Sequence, residues 1–489
     1  MKCKQYTTFQ ANGEGYTYEK QVNVTNEGDE KTQLESNVVN LHPKITYQTI
    51  EGFGGAMTES SAYLFSRMEE ETRKKALSCY FGEDGIGTHF VRTHIDSCDY
   101  SLEEYAAVED PLADKELSTF SLKRDKMYII PMLKEAIKMS KDPLSVLLSP
   151  WSPPGSLKTK PEAKENDGAV YGALFGMDYA ESTSGRCNGG SLKPEYYGLW
   201  AKYLVKFVQA YLEEGIPVTM LSIQNEASAA TNWDSCVWTA QEEKIFLKEY
   251  LYPEMKAAGL TEKVGIYFWD HNKERVVERA LEMLDEETYN MLEGIAFHWY
   301  SGDHFEAISI LQEKYPDKVL MMSECCGLHI PGKAGLDLPF MSASFRTAES
   351  VEYEDAVNYA HDIIGNLNAG MNRWIDWNLI VDQNGGPRHV PMGFTAGMIA
   401  DEQGGFRTNL TYHYIAHFSK YIKPGAKRIG HSRYSDSFEM TAACNPDGSI
   451  IAVFLNKGDD DTGCAIRING KVIRIQTPAH TISTVCIEE

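Results

Sequence analysis

From about residue 50 onward, short apolar runs alternate with longer stretches whose apolar residues recur at every third or fourth position. A run of four to eight apolar residues bounded by turn residues reads as a buried strand, and the three-and-four spacing reads as the buried face of a helix. The runs are Ile50 to Ala56, His89 to Ile95, Leu144 to Leu148, Val218 to Ile223, Val264 to Trp269, Gly294 to Trp299, Val319 to Ser323 and Arg373 to Trp377. Between them, Tyr197, Trp200, Ala201, Leu204, Val208 and Tyr211 mark one helical face. Glu71 to Tyr80, Met127 to Met139, Gln241 to Ala258, Glu274 to Leu284 and Tyr353 to Leu367 share that spacing. Eight strands alternating with helices predict an α/β fold, a closed (β/α)8 (TIM) barrel over residues 49–425. An open, doubly wound sheet has the same periodicity and is the alternative.

The two ends follow a different pattern. Tyr16 to Thr25 and Lys427 to Glu489 alternate with period two and carry turn residues such as Asn445-Pro446-Asp447-Gly448, without helical stretches. Residues 1–48 and 426–489 are therefore predicted to form a side β-sandwich built from both termini, with no low-complexity linker to separate it from the barrel. A length of 489 residues fits this division, one barrel plus a smaller appended domain.

Composition narrows the classes of partner. Seventy acidic against 47 basic residues give a net charge of −23, which disfavours nucleic acid and anionic membrane surfaces. The N-terminal segment lacks the apolar run of a signal peptide, so a cytoplasmic location is expected. Ten scattered cysteines, with only Cys325 and Cys326 adjacent, predict free thiols rather than a disulfide framework. There is no HExxH, no phosphate-binding glycine loop and no GxGxxG after a strand, so neither a metal nor a nucleotide cofactor is expected.

Barrel enzymes carry their chemistry at the C-terminal ends of the strands. Two carboxylates stand at such ends: Glu226, after the fourth run, and Glu324, after the seventh. Glycoside hydrolysis needs such a pair, one group to protonate the departing oxygen and one to attack or stabilise the anomeric carbon. The competing reading is that each Glu caps a helix or pairs with an arginine. Trp151, Trp299, Tyr300 and Trp377 also stand at strand ends, where flat faces can stack on a sugar. Arg92, Asp99, Asn225 and His298 are candidates to hold hydroxyl groups or orient a carboxylate, although His298 by its local sequence alone reads rather as a core histidine.

Several strings together resemble glycoside hydrolase family 30, which includes glucosylceramidases, β-1,6-glucanases, β-xylosidases and glucuronoxylanases. They are Gly52-Phe53-Gly54-Gly55-Ala56-Met57-Thr58-Glu59, Ser97-Cys98-Asp99-Tyr100-Ser101, Ser149-Pro150-Trp151-Ser152-Pro153-Pro154, Gln224-Asn225-Glu226 and His298-Trp299-Tyr300. Ser323-Glu324, Asp376-Trp377-Asn378-Leu379 and the stretch from His417 to Ala426 extend the likeness over nearly the whole chain. The resemblance implies a barrel with a β-sandwich from both termini, Glu226 as acid/base and Glu324 as nucleophile. It also implies a sugar pocket lined by Arg92, Asp99, Trp151, Asn225, His298, Tyr300 and Trp377.

One departure bears on substrate. After Gly385-Gly386-Pro387 the glucosylceramidase-like pattern continues Asn-Trp, whereas this chain has Arg388-His389. Arg388 is a candidate to bind a carboxylate or hydroxyls of the substrate, or to pair with a surface acid. Two long segments, Pro161 to Cys187 and Leu328 to Glu349, follow strand ends and carry apolar residues without helical periodicity. Placed over the mouth they would close a cleft into a pocket; the alternative is a subunit contact in a homo-oligomer. The expected activity is retaining hydrolysis of β-linked glucosides from a chain end, on a short oligosaccharide or glycoside substrate. A β-xylosidase, a β-1,6-glucanase and a sugar-binding protein without turnover are the competing expectations.

Overall fold

The computed structural model describes residues 1–11, 14–29, 37–159, 184–329, 331, 347–390 and 393–488. All eight expected barrel strands are present: β1 (Gly52–Ala56), β2 (Thr88–Ile95), β3 (Ser145–Pro150), β4 (Val218–Ser222), β5 (Gly265–Asn272), β6 (Gly294–His298), β7 (Val319–Glu324) and β8 (Arg373–Asn378). Each runs parallel to its neighbours, and β8 pairs back onto β1 through Arg373 with Gly52 and Trp374 with Phe53. That last pairing closes the barrel and removes the open-sheet alternative. Phe90, Leu147, Met220, Tyr267, Ala296, Met321 and Ile375 form one buried cluster contributed by seven of the strands. The barrel interior is therefore packed, and chemistry is confined to its ends.

The helices show where apolar spacing is a weaker guide. Tyr197–Glu213 buries Trp200, Leu204, Val208 and Tyr211 as the spacing predicts. The expected helix from Gln241 to Ala258 is instead Ala240–Ile245, a π-turn at Phe246–Leu251 and Tyr252–Ala257. Pro253 has no N–H to give to the preceding turn, and the hydrogen-bond ladder widens just before it. Three further helices, Glu59–Arg67, Phe305–Lys314 and Leu410–Ser419, had no clear signal. The first buries Glu59, Ser60 and Ser61, and the last buries eight of its ten residues, so neither shows one apolar face against a polar one.

Both termini enter one ten-stranded ladder. Lys2–Ala11 pairs antiparallel with Glu14–Gln21 and with the last strand, Thr481–Glu488, while Val38–Ile50 pairs with Ala426–Arg433 and Thr462–Ile468. Cys3, Leu41, Met440, Phe454, Ile466, Ile475 and Val485 share one core, so the ladder folds over on itself as a sandwich. Lys2–Ala11 was not expected as a strand; one of its two partners lies at the far end of the chain. Among the described residues no disulfide joins any of the cysteines. Among the described residues no helix is long and apolar enough to cross a membrane. Of the two loop segments expected over the mouth, residues 160–183, 330 and 332–346 lie outside the described residues.

Helix Leu410–Ser419 joins barrel to sandwich through His417, whose ring lies between Thr8 Oγ1 at 2.8 Å and Thr484 Oγ1 at 2.9 Å. Burial pushes this imidazole down from 6.5 to about 3, so the folded protein holds it neutral. The unfolded chain binds its proton near pH 6.5, so the stability from this group is present above that pH and is lost as pH falls toward 3, by at most about 5 kcal/mol. Urea unfolding at pH 7 and pH 4 should therefore show a smaller acid-induced loss in His417→Gln than in the unmodified protein. An unchanged difference would remove the seam histidine from the acid sensitivity.

Candidate active site

The mouth is built from strand ends that depart from regular geometry. Along the β5–β6 pair, Ala296 faces Trp269 but Phe297 faces His271, so Asp270 is an extra, bulged residue. Trp269 and Asp270 have φ of 72° and 47°, in the left-handed region that non-glycine residues seldom occupy. Glu226, four residues past the end of β4, has φ of 50°, and its N–H donates to the carbonyl of Asp270 at 2.7 Å. The neighbouring N–H of Asn225 donates to Pro150 O at 2.8 Å, so the two bonds tie the loop after β4 to β3 and β5. Backbone in this rare region is held by its surroundings and tends to occur where side chains must be aimed.

The bulge turns Asp270 into the buried centre of the site. Its Oδ2 accepts from Arg92 Nη2 at 2.9 Å, Ser222 Oγ at 2.7 Å and Ser149 Oγ at 3.3 Å. Its Oδ1 lies 3.0 Å from His298 Nε2 and accepts from Ser323 Oγ. Burial alone would raise this carboxyl, but the charge of Arg92 and the bond from His298 hold it far below the usual carboxylate range. Arg92 is fully buried and spends its fork on Asp270, on Asn225 Oδ1 at 2.8 Å and on Glu324 Oε2, with Nε on Ser149 Oγ at 3.1 Å. Its guanidinium carbon also lies 4.7 Å from the Trp151 ring and 5.5 Å from the Trp377 ring.

The two expected carboxylates thus meet different neighbours. Glu324 is gripped by Arg92, and Tyr300 donates its hydroxyl to Oε1 at 2.9 Å. Burial, and the charge of Glu226, push Glu324 up, against the opposing charges of His298 and Arg92. Glu226 Oε1 lies 3.3 Å from His298 Nδ1 and 3.5 Å from His271 Nδ1. Burial would raise Glu226 too, but the two rings beside it, His271 and His298, and their charge hold it low. Burial opposes the charge on His298, yet Glu324, Asp270 and Glu226 together raise it to about 9. These directions put the labile proton on His298, in contact with the Glu226 carboxylate, and no guanidinium lies against Glu226.

Arg92, Asn225, Glu226, His298, Tyr300 and Glu324 are brought together as the sequence predicts, and His298 is a bridging residue rather than an isolated core histidine. Asp99 lies buried beside them; its Oδ1 has no hydrogen-bond partner among the described residues, and burial and then the charge of Glu324 push its carboxyl well up. Such a group is a ready partner for a substrate hydroxyl.

Two expectations need correction, and one alternative is removed. Trp299 packs on Tyr359 of helix Ala348–Ala369 with ring centroids 4.7 Å apart, because it alternates outward between His298 and Tyr300. Trp151 and Trp377 are 1% and 2% exposed and stack on each other at 5.3 Å, so their faces serve one another and Arg92 rather than an open sugar platform. Arg388 makes no surface ion pair among the described residues: Nη1 donates to Gly385 O at 2.8 Å, and its buried Nε has no partner. Asp270, His271 and the three serines were missed, since the strand was read to end at Trp269. The rim network was missed as well, in which Arg186 Nε donates to Asp234 Oδ1 at 2.8 Å and His389 Nε2 lies 3.1 Å from Asp234 Oδ2.

The family model described as the glycosyl hydrolase family 30 TIM-barrel domain matches residues 50–422, and the family's beta sandwich domain matches residues 425–485. The chain belongs to glycoside hydrolase family 30. Like other members it is a glycosidase, and glycosides are its substrates. Lysosomal acid glucosylceramidase of Mus musculus is 30% identical over 88% of this chain and 79% of that protein. Endo-1,6-beta-D-glucanase neg1 of Aspergillus fumigatus is 24% identical over 89% of this chain and 84% of that one. Among solved structures, SrfJ from Salmonella typhimurium superposes with a TM-score of 0.85 at 31% identity, with both chains fully covered. The endo-beta1,6-glucanase BT3312 superposes with a TM-score of 0.80 at 25% identity, covering 100% of this chain and 99% of that one.

In this family 30 member Asp270 holds Arg92 on one side and His298 on the other, so its loss should loosen both glutamates at once. Asp270→Asn keeps the volume and removes the charge. Its kcat/KM on an aryl β-glycoside should fall at least ~100-fold, equivalent to about 2.7 kcal/mol of transition-state stabilisation. Kinetics alongside circular dichroism check this: a folded variant within threefold of the unmodified protein would show that Asp270 does not orient the pair.

Proposed function

We propose that this chain hydrolyses β-glucosides or closely related β-glycosides with retention of configuration, Glu324 acting as nucleophile and Glu226 as acid/base. The observation that carries this reading is the unequal company of the two glutamates. Among the described residues Glu324 accepts from two donors, Arg92 and Tyr300, and burial keeps the Tyr300 phenol protonated; against the burial that pushes Glu324 up, these two donors hold both of its oxygens and favour the carboxylate. Glu226 instead faces the imidazole of His298, which can pass it a proton and take one back.

In the first step Glu324 attacks the anomeric carbon as the bond to the leaving oxygen breaks, and that oxygen takes a proton from Glu226. A glycosyl ester on Glu324 results. In the second step Glu226 removes a proton from water as its oxygen attacks the anomeric carbon, which frees Glu324 and restores the acid. His298 replenishes or drains Glu226 across their 3.3 Å contact, and Asp270 steadies the ring from its other nitrogen.

We further read the enzyme as acting from a chain end. At the rim after β3, Lys158 bridges Leu192 and Cys187 bridges Asp234. Arg186 beside it donates to Ser97 O at 3.3 Å, two residues from Asp99. The same Asp234 meets His389, beside the Arg388 that departs from the glucosylceramidase pattern. A rim braced by these contacts supports a pocket rather than a through-cleft, and with it an oligosaccharide or small glycoside as substrate.

Proton NMR of the products from a short, defined β-glucooligosaccharide tests both parts together. The β-anomer of the free monosaccharide should appear first and then mutarotate. Initial α-anomer would exclude retention, and early fragments of middle length would exclude action from the chain end.

A further inference from the structure

The acid/base side of the site contains a second histidine that the two-step reaction leaves without a task. His271 follows Asp270 on β5, and its buried Nδ1 makes no hydrogen bond although it lies 3.5 Å from Glu226 Oε1. His298 Nδ1 lies 3.3 Å from the same oxygen. We propose that Glu226, His271 and His298 form a site for a divalent transition-metal ion of the Zn2+ type, which acts as a reversible inhibitor and not as a cofactor.

The spacing is the first argument. Both distances are long for an N–H to oxygen hydrogen bond, which lies at about 2.7–3.2 Å. They match the separation of neighbouring donors around one tetrahedral ion: nitrogen and oxygen ligands at about 2.0–2.1 Å stand roughly 3.3–3.4 Å apart. The three donor atoms lie within 4.8 Å of one another, so small rotations of the imidazoles complete the set. Two histidines and one glutamate also match a known zinc ligand set, leaving the fourth position for water.

The surroundings are the second argument. A histidine that binds metal usually gives its other nitrogen to a carboxylate, which fixes the ring and strengthens the ligand. His298 has this arrangement, with Nε2 at 3.0 Å from Asp270 Oδ1 and Asp270 anchored in turn by Arg92. Against the carboxylates of Glu226, Asp270 and Glu324 stands one guanidinium, paired with Asp270 and Glu324, so a cation that displaces the His298 proton enters a negative site. Two imidazole donors select Zn2+, Cu2+, Ni2+ or Co2+ over Mg2+ and Ca2+, which take oxygen ligands. No local motif announces the site, because its donors come from the ends of β5 and β6 and the loop after β4.

An ion on Glu226 Oε1 occupies the atom that would deliver the proton to the leaving oxygen. The inhibitory consequence rests on the proposed role of Glu226, whereas ion binding itself does not. Co2+ titrated into the metal-free protein and followed by visible absorption is the test. One equivalent should give the intense d–d bands of a four-coordinate site, and Zn2+ should displace them. His271→Ala and Glu226→Gln, both checked for folding, should each weaken binding at least tenfold. In parallel, Zn2+ should slow turnover of an aryl β-glycoside, and a chelator should restore it. Co2+ bands unchanged in both variants would assign the ion to surface thiols and overturn the site, as would no binding up to millimolar Co2+. Stoichiometric binding at these residues without inhibition would overturn the inhibitory role and, with it, the assignment of Glu226 as acid.

Discussion

The arrangement of the barrel mouth depends on a buried ion pair, Asp270 with Arg92, both fully enclosed. A charge removed from water is tolerated only where an opposite charge and hydrogen bonds replace the lost solvation, and breaking such a pair costs about 3–5 kcal/mol. Here the replacement is nearly complete. Asp270 takes bonds from Arg92, His298 and three serines, and Arg92 divides its donors among Asp270, Asn225, Glu324 and Ser149. The pair therefore works as a rigid hub: through Arg92 it fixes Glu324, and through His298 it fixes the partner of Glu226.

From that hub comes the difference between two residues of identical chemistry. Arg92 reaches Glu324 and not Glu226, so positive charge that cannot be lost stands on one side only. The other side has titratable rings. Two carboxylates with unlike environments are what a double displacement requires, and the asymmetry here is set by which strand end each neighbour occupies. The bulge that adds Asp270 to β5 is the backbone device behind it. Without the extra residue the register would run on from Trp269, and no carboxylate would lie between Arg92 and His298.

Much of this was legible before the structure, for a definite reason. Buried parallel strands are short apolar runs, and the residue after such a run stands at the mouth, so Glu226 and Glu324 could be read from position alone. Asp270 could not, because a bulge leaves no trace in hydrophobic period and the run appears to stop at Trp269. Trp299 was misread for the converse reason: at the end of β6 alternation decides the face, and His298 and Tyr300 point inward while Trp299 does not. The strand Lys2–Ala11 was missed although it pairs locally with Glu14–Gln21; its other partner, Thr481–Glu488, is a contact at the longest separation the chain allows. The stacking of Trp151 on Trp377 is of the same kind, a tertiary choice between two residues that each looked available to a sugar.

The central claim is that Glu324, held by Arg92 and Tyr300, is the group that bonds to the sugar. A 2-deoxy-2-fluoro-β-glucoside with a good leaving group tests it directly. Fluorine slows both steps, the leaving group needs no acid, and the glycosyl ester accumulates. After proteolysis, mass spectrometry should find one sugar per chain, on the peptide and at the side chain of Glu324. A label on Glu226, or on Asp99, would contradict the account.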